Sequence, residues 1–371
     1  MRALRLGMVG GGSGAFIGNV HRMAARLDGQ FELVAGALSS DPERARRSGE
    51  ELGLARVYDD FAQMAEAEAT RPDGIEAVAI VTPNHMHAAP AKAFLERGIH
   101  VICDKPLTAT TEEARDLAAA CEASNALFIL THTYSGYAMV RQAREMVARG
   151  DIGPVRVVQV EYAQDWLTED NASQQAGWRT DPAKAGAGAV GDIGTHAWHL
   201  AQYVSGLEVE ALSAELSSFV PGRRVDDNVQ AMLRFKGGAR GSLWASQVAP
   251  GHENTVRIRV FGETGGLDWT QEAATQLSFT RFGQPRQILT QNGAGATGAA
   301  TRLSRVPAGH PEGYIEAFAN IYAEAARAIR AHGSVLPDGV QYPGIVDGMG
   351  GMAFIAACRE SSANNGAWVA P

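Results

Sequence analysis

Three short segments carry the residue types that can move a proton or hold a substrate oxygen. Val101-Ile102-Cys103-Asp104-Lys105-Pro106 sets a lysine just past an apolar run. Partial loss of solvation there lets its amine hold a hydroxyl or share its proton. Gly191-Asp192-Ile193-Gly194-Thr195-His196 puts a carboxylate and an imidazole four residues apart, so that one helical face carries both and the acid orients a histidine base. Val81-Thr82-Pro83-Asn84-His85-Met86-His87 supplies a polar turn after another apolar run. Asp192, His196 and His199 are three potential ligands at helical spacing, but without a fourth they do not make a metal site, and no metal is expected.

A second chemistry, anion binding by the backbone, is written near the start. The apolar run Leu4–Val9 is followed by Gly10-Gly11-Gly12-Ser13-Gly14-Ala15-Phe16-Ile17-Gly18 and a helical stretch from Asn19. A glycine-rich turn between a first strand and a helix lets main-chain N–H groups reach a dinucleotide pyrophosphate, so Gly10, Gly12, Ser13, Gly14, Ala15, Phe16 and Ile17 are expected contacts. The spacing departs from the usual fingerprint. Its third glycine would fall where Ala15 stands, and giving that role to Gly18 lengthens the loop by three residues. The ribose should meet the end of the second strand, Leu38-Ser39-Ser40-Asp41. A carboxylate there repels a 2′-phosphate, whereas Ser39 and Ser40 with Arg44 can accept one. Asp41 as a helix cap and Arg44 on a solvated face is the plainer alternative. The cofactor stays open between NAD and NADP, with a lean to NAD.

These groups need strands and helices to position them. Leu4–Val9, Phe31–Ala37, Ala77–Val81, His100–Cys103 and Leu127–Thr131 read as strands alternating with helical segments, the pattern of a doubly wound parallel sheet. Beyond about residue 150, strand-like runs follow one another with glycine-bearing turns, as in Lys236-Gly237-Gly238 and Gly262-Glu263-Thr264-Gly265-Gly266. A large, mostly antiparallel open-faced sheet is the expectation. The predicted division is a Rossmann domain over 1–131 and a sheet domain over 132–371, whose C-terminal helix returns to the first. Helices are expected at Thr195–Val204, Pro311–Ala331 and Gly344–Ser361, and a mobile loop at the Gly/Ala-rich stretch Asn292–Ala300.

Composition narrows the class. The 371 residues carry 33 basic against 41 acidic side chains, a net charge of −8, with no basic run of the kind that neutralises nucleic-acid phosphates. No stretch has the apolar length of a membrane span, and the three cysteines form no Cys-x-x-Cys pair. A soluble, cytoplasmic protein is expected, with no nucleic-acid or membrane partner.

Taken together, Gly18-Asn19-Val20-His21, Thr82-Pro83-Asn84 with His87, Asp104-Lys105-Pro106 and Asp192-Ile193-Gly194-Thr195-His196 resemble, in this order and across nearly the whole chain, the Gfo/Idh/MocA family of nicotinamide-dependent sugar and cyclitol dehydrogenases. The resemblance implies a catalytic lysine, Lys105, with Asp104 in place of the family's usual Glu, and it maps the family's Asp-x-x-x-His pair onto Asp192 and His196. It further implies hydride transfer from a ring carbon bearing a secondary hydroxyl to the nicotinamide, with His196 taking the hydroxyl proton and Lys105 binding the same oxygen. Thr82, Pro83, Asn84, His87, Asp104 and Lys105 join the expected cofactor contacts. Three further positions have two readings each. Tyr134 lines the substrate site or packs between domains, Trp178 and Arg179 stack on a sugar ring or form a surface loop, and His310 contacts substrate or merely opens a helix. A redox-neutral use of tightly held NAD and a dinucleotide-binding sensor without turnover are the alternative functions. A sheet face left bare of helices is expected to pair with further copies of the chain as a homodimer or homotetramer.

Overall fold

Short, mostly apolar runs of two to seven residues alternating with helices build the first sheet. The computed structural model describes residues 2–170 and 173–371. The elements begin β1 (Leu4–Gly10), α1 (Phe16–Leu27), β2 (Phe31–Ala37), α2 (Pro42–Glu51), β3 (Arg56–Val57), α3 (Phe61–Thr70), β4 (Ala77–Val81), α4 (Ala88–Leu95), β5 (His100–Cys103), α5 (Thr111–Ala123) and β6 (Phe128–Leu130). All strand pairs are parallel and the order is β3-β2-β1-β4-β5-β6, the dinucleotide-binding arrangement with its switch point between β1 and β4. Every residue of β4 is buried, as a strand covered on both faces requires. Side chains define the helix starts: Asp41 accepts from the Arg44 N–H ahead of Pro42, and Thr110 and Glu113 form a reciprocal capping box.

The chain continues through α6 (Ala138–Ala148), β7 (Val155–Ala163), α7 (Gln174–Arg179), α8 (Pro182–Ala185) and α9 (Thr195–Ser205) into β8 (Val209–Ser217), β9 (Asn228–Phe235), β10 (Arg240–Ser246), β11 (Thr255–Gly262), β12 (Gly265–Thr270), β13 (Gln276–Arg281) and β14 (Gln287–Thr290). It ends with α10 (Gly298–Arg302), α11 (Tyr314–Arg330) and α12 (Ile345–Ala363). The second sheet has the order β14-β13-β12-β11-β7-β10-β9-β8, antiparallel throughout except for the β7–β10 pair. Strict alternation buries Val158, Val160 and Tyr162 of β7 with Val256, Ile258 and Val260 of β11, and α9 packs on this sheet. Intervening residues such as Gln159, Glu161, Arg257 and Met232 lie on the opposite face.

Contacts divide the chain into two units. The first runs through Thr133 and takes in Phe318–Met349, while the second is Tyr134–Ala317 with Gly350–Pro371. Within the first unit the returning segment is tied in by the Leu130 N–H to Pro343 O bond of 2.8 Å and by Gly348 lying on Leu107. Two expectations need correction. Gly265-Gly266, read as a turn, opens β12, where Leu267 and Trp269 alternate inward. The stretch expected to be a mobile loop runs into the start of α10 and is packed: Ala300 and, just beyond it, Leu303 bury with Ala138, and Gln142 donates to Gly295 O at 3.1 Å. Small residues there permit close approach to α6, which composition alone misreads as looseness. Among the described residues no helix is long and apolar enough to cross a membrane.

Candidate active site

The turn after β1 forms a cradle of main chain. Gly10 lies at φ +75°, and a Cβ on it would meet Val81 O at 2.5 Å. A Cβ on Gly12 would meet both Leu38 O and Ser48 Oγ at 2.9 Å. Gly18 sits in the first turn of α1, and any side chain on it would run into the backbone of Gly11. Gly18 thus performs the close strand–helix packing of the fingerprint's third glycine, and the extra residues form the loop between. The N-cap of α1 is Ala15, with no side-chain cap, so the helix start presents its main-chain N–H groups beside Ser13, Gly14, Phe16 and Ile17. The Ser13 N–H donates to Ser48 Oγ at 3.1 Å and the Ala15 N–H to Gly12 O at 3.0 Å, which leaves the first turn of α1 as the source of donors; a turn closed to a Cβ at Gly10, Gly12 and Gly18 and followed by an uncapped helix start fits a dinucleotide pyrophosphate. At the end of β2, Asp41 is committed to capping α2 and Ser39 Oγ accepts from the Asp41 N–H at 3.1 Å, while Ser40 and Arg44 are exposed.

Two further strand ends are joined by one buried histidine. His87 has its Nδ1 2.8 Å from Pro106 O and its Nε2 2.9 Å from Thr82 O, and burial pushes its pKa down. The ring therefore ties the Thr82-Pro83-Asn84 turn to the Asp104-Lys105-Pro106 segment, and neither nitrogen is turned to a ligand. His87 thus has both ring nitrogens engaged within the protein. Asn84 is buried, and Thr82 Oγ1 donates to Met86 O at 2.8 Å. Asp104 Oδ1 accepts from the Lys105 N–H at 2.9 Å and from Thr131 Oγ1 at 3.0 Å, with His21 Nε2 3.9 Å away. Burial opposes charge on Asp104, yet His21 and then Lys105 outweigh it and hold the carboxyl well below the usual range. His21, fully buried, has its Nδ1 2.8 Å from the Tyr322 hydroxyl.

In the second unit the side chains converge. Asp192 lies in a π-helical turn, Val190–Gly194, that runs directly into α9 and His196. A π-turn widens the helix locally, a feature frequent at functional sites. Asp192 Oδ2 accepts from Gln247 Nε2 at 2.8 Å and lies 3.3 Å from Arg179 Nε. The Arg179 guanidinium in turn stands over the Trp178 ring at 4.2 Å and the Trp166 ring at 5.9 Å. His196 meets Tyr134 edge-on at 5.0 Å and Tyr162 at 6.0 Å between ring centroids. The hydroxyls form a mesh: Tyr134 OH to Tyr162 OH at 2.8 Å, Tyr162 OH to Asn254 Oδ1 at 2.9 Å, and Gln164 Nε2 to Asn254 Oδ1 at 2.6 Å. Burial raises the Tyr134 phenol to about 12 and lifts the Tyr162 phenol well above its ordinary value, so both stay protonated.

The structure thus gathers Tyr134, Trp178, Arg179, Asp192 and His196 into one cluster. His310 lies exposed in its own turn, with Nδ1 3.1 Å from Pro307 O. Tyr162, Gln247 and Asn254 were not singled out from sequence, although a signal exists. Each continues the inward parity of its strand: Val158, Val160, Tyr162; Leu243, Ala245, Gln247; Asn254, Val256, Ile258. Because β7 and β10 are parallel and β11 runs against them, all three fall at one end and on one face of the sheet. A polar residue that extends a buried apolar stripe past the strand end marks a site.

Comparison with known proteins agrees with both halves. Residues 4–132 match the oxidoreductase family's NAD-binding Rossmann fold and residues 140–268 match the GFO/IDH/MocA C-terminal domain. The structure is similar to that of an oxidoreductase from Sinorhizobium meliloti, 59% identical with a TM-score of 0.93 and 100% of both chains covered. It is also similar to an inositol dehydrogenase homolog from Azotobacter vinelandii complexed with NAD+, 37% identical with a TM-score of 0.95, covering 100% of this chain and 98% of that one. The latter protein has also been solved with NADH and myo-inositol. A levoglucosan dehydrogenase of Pseudarthrobacter phenanthrenivorans is 31% identical over 75% of this chain and 76% of its own length. With an NAD-binding first unit and both domain types in sequence, this chain belongs to the GFO/IDH/MocA family of oxidoreductases.

Proposed function

We propose that the protein oxidises a secondary hydroxyl on a polyhydroxylated ring, a cyclitol of the inositol type or a sugar or glycoside, with NAD as the preferred partner. The observation that carries this reading is the Tyr134, Tyr162, Asn254 and Gln164 mesh beside His196, a set of neutral donors and acceptors suited to several ring hydroxyls and to no charged group. The inositol dehydrogenase homolog supports the cyclitol and the levoglucosan dehydrogenase the sugar. When bound, the nicotinamide supplies the hydride acceptor. Main-chain groups from Gly10 to Ile17 hold the pyrophosphate, and Ser39, Ser40 and the Thr82-Pro83-Asn84 turn border the rest. His196 removes the hydroxyl proton, Asp192 orients the imidazole and stabilises its cation, and Lys105 holds the same oxygen. Gln247 and Arg179 keep the Asp192 carboxylate in place. Trp178 lines the ring-binding side.

A matrix of NAD and NADP against inositols, hexoses and glycosides, read by absorbance of the reduced cofactor, tests this. Net reduction with a cyclitol or sugar is expected, and substrate conversion without net reduction would replace the reading with a redox-neutral one. The open sheet face, with Met232 56% and Phe261 40% exposed, is proposed to pair with further copies of the chain as a dimer or tetramer. Light scattering showing one 39.3 kDa chain would overturn that.

A further inference from the structure

At the opposite end of the first sheet from the glycine turn lies a cavity of about 820 Å³. Its wall is drawn from the entries to β1, β4 and β5 and from the end of α11, four segments far apart in sequence. The seven-residue β1 separates it from the dinucleotide turn by about 20 Å. In a chain of net charge −8 this wall is basic. Glu76 is saturated by Arg2, at 2.6 and 2.8 Å, and is 3.7 Å from Arg5. Arg97 donates to Ala93 O, and Arg330 to the Gln30 side chain and to Arg2 O, so among the described residues neither has an acidic partner. Arg71 is matched by Asp73, and Glu68 by Arg56. Four guanidinium groups against the Glu76 carboxylate leave three positive charges on one concave surface. Like charges held together are costly unless a counter-ion joins them.

Two imidazoles complete the wall. His100 accepts the Leu127 N–H on Nδ1 at 2.9 Å, which fixes its proton on Nε2, and among the described residues that N–H has no acceptor. Burial and the neighbouring His332, 5.0 Å away edge-on, push the His100 pKa down to about 4, so it serves as a neutral donor. His332 itself is exposed at the rim.

We propose that this cavity binds a small, multiply charged oxyanion, a phosphate ester or pyrophosphate group, at a site separate from the dinucleotide turn. Guanidinium forks match such oxygens two at a time, and the cavity has room for a phosphorylated metabolite. The ligand neutralises the charge that the fold has gathered.

The test titrates the full chain, saturated with NADH so that the glycine turn is filled, with inorganic pyrophosphate and glycerol 3-phosphate by calorimetry at fixed ionic strength. Saturable binding of one anion per chain is expected, with a rise in thermal midpoint that sodium chloride at the same ionic strength does not reproduce. Arg97→Glu, an exposed position, should weaken binding roughly tenfold or more while leaving NADH affinity and turnover unchanged. His332→Ala should weaken it less. Absence of saturable binding, binding that disappears once NADH is present, or affinity indifferent to Arg97→Glu would each overturn the proposal.

Discussion

In the first unit the groups proposed to face a ligand belong to the main chain. Gly10, Gly12 and Gly18 matter for the atoms they lack, and the side chains nearby are engaged within the protein: His87 with two carbonyls, Asp104 with the Lys105 N–H and the Thr131 hydroxyl, and His21 with the Tyr322 hydroxyl. In the second unit the groups proposed to face a ligand are side chains: Gln247 and Arg179 hold the Asp192 carboxylate, and Tyr134, Tyr162 and Asn254 are hydrogen-bonded together beside His196. A backbone cradle binds what every dinucleotide shares, whereas a side-chain mesh can be rewritten residue by residue. On the proposed function, one unit sets cofactor class and the other substrate identity.

The largest effect should come from His196→Ala. Turnover falls roughly 10²- to 10⁴-fold if the imidazole is the base, while NADH affinity, followed by fluorescence titration, stays unchanged. Near-full turnover would dissolve the division. Gly18→Val tests the other half. Its side chain must displace the Gly11 backbone, so NADH affinity should fall roughly 10- to 100-fold, an overpacking cost of about 1–3 kcal/mol, and the substrate constant should follow only through the cofactor. Tyr162→Phe removes the hydroxyl that joins Tyr134 to Asn254. A rise of roughly tenfold in KM for the polyol is expected, with NADH binding intact.

The smallest effect is on stability. His87 and His100 both have folded-state pKa values below the ordinary imidazole value, His100 at about 4. The unfolded chain takes up their protons first as pH falls, so stability present above about pH 6.5 is lost below it; for His100 the loss runs down to about pH 4, by up to about 1.4 kcal/mol per unit. Denaturant midpoints measured across that window should fall with pH, and His100→Gln should flatten the slope. An unchanged slope would remove His100 from the account.

How much of this was legible follows the same split. The β1 turn, the Asp41 and Thr110 caps and the parallel strands are local, since each is specified within a dozen residues, and the structure places β2, β4 and β5 at the predicted bounds Phe31–Ala37, Ala77–Val81 and His100–Cys103. The pair Asp192 and His196 is local too. Gln247 and Asn254 reach the cluster only through the pairing of β7 with β10 and β11, and Tyr322 reaches His21 across 301 positions of sequence. No window of neighbouring residues contains that information. The setting of His87 is non-local in the same way: its two carbonyl partners are visible only once the strand ends are side by side.

The single parallel pair within the second sheet sets an order of events during synthesis. When β7 leaves the ribosome it has no partner, because both of its neighbours, β10 and β11, lie about 80 to 100 residues downstream. Until they arrive, the nascent chain holds Val158, Val160 and Tyr162 without a sheet to bury them. The first unit waits longer still, because it is completed by Phe318–Met349, and the second takes in Gly350–Pro371, so neither half can finish folding until those segments have been made.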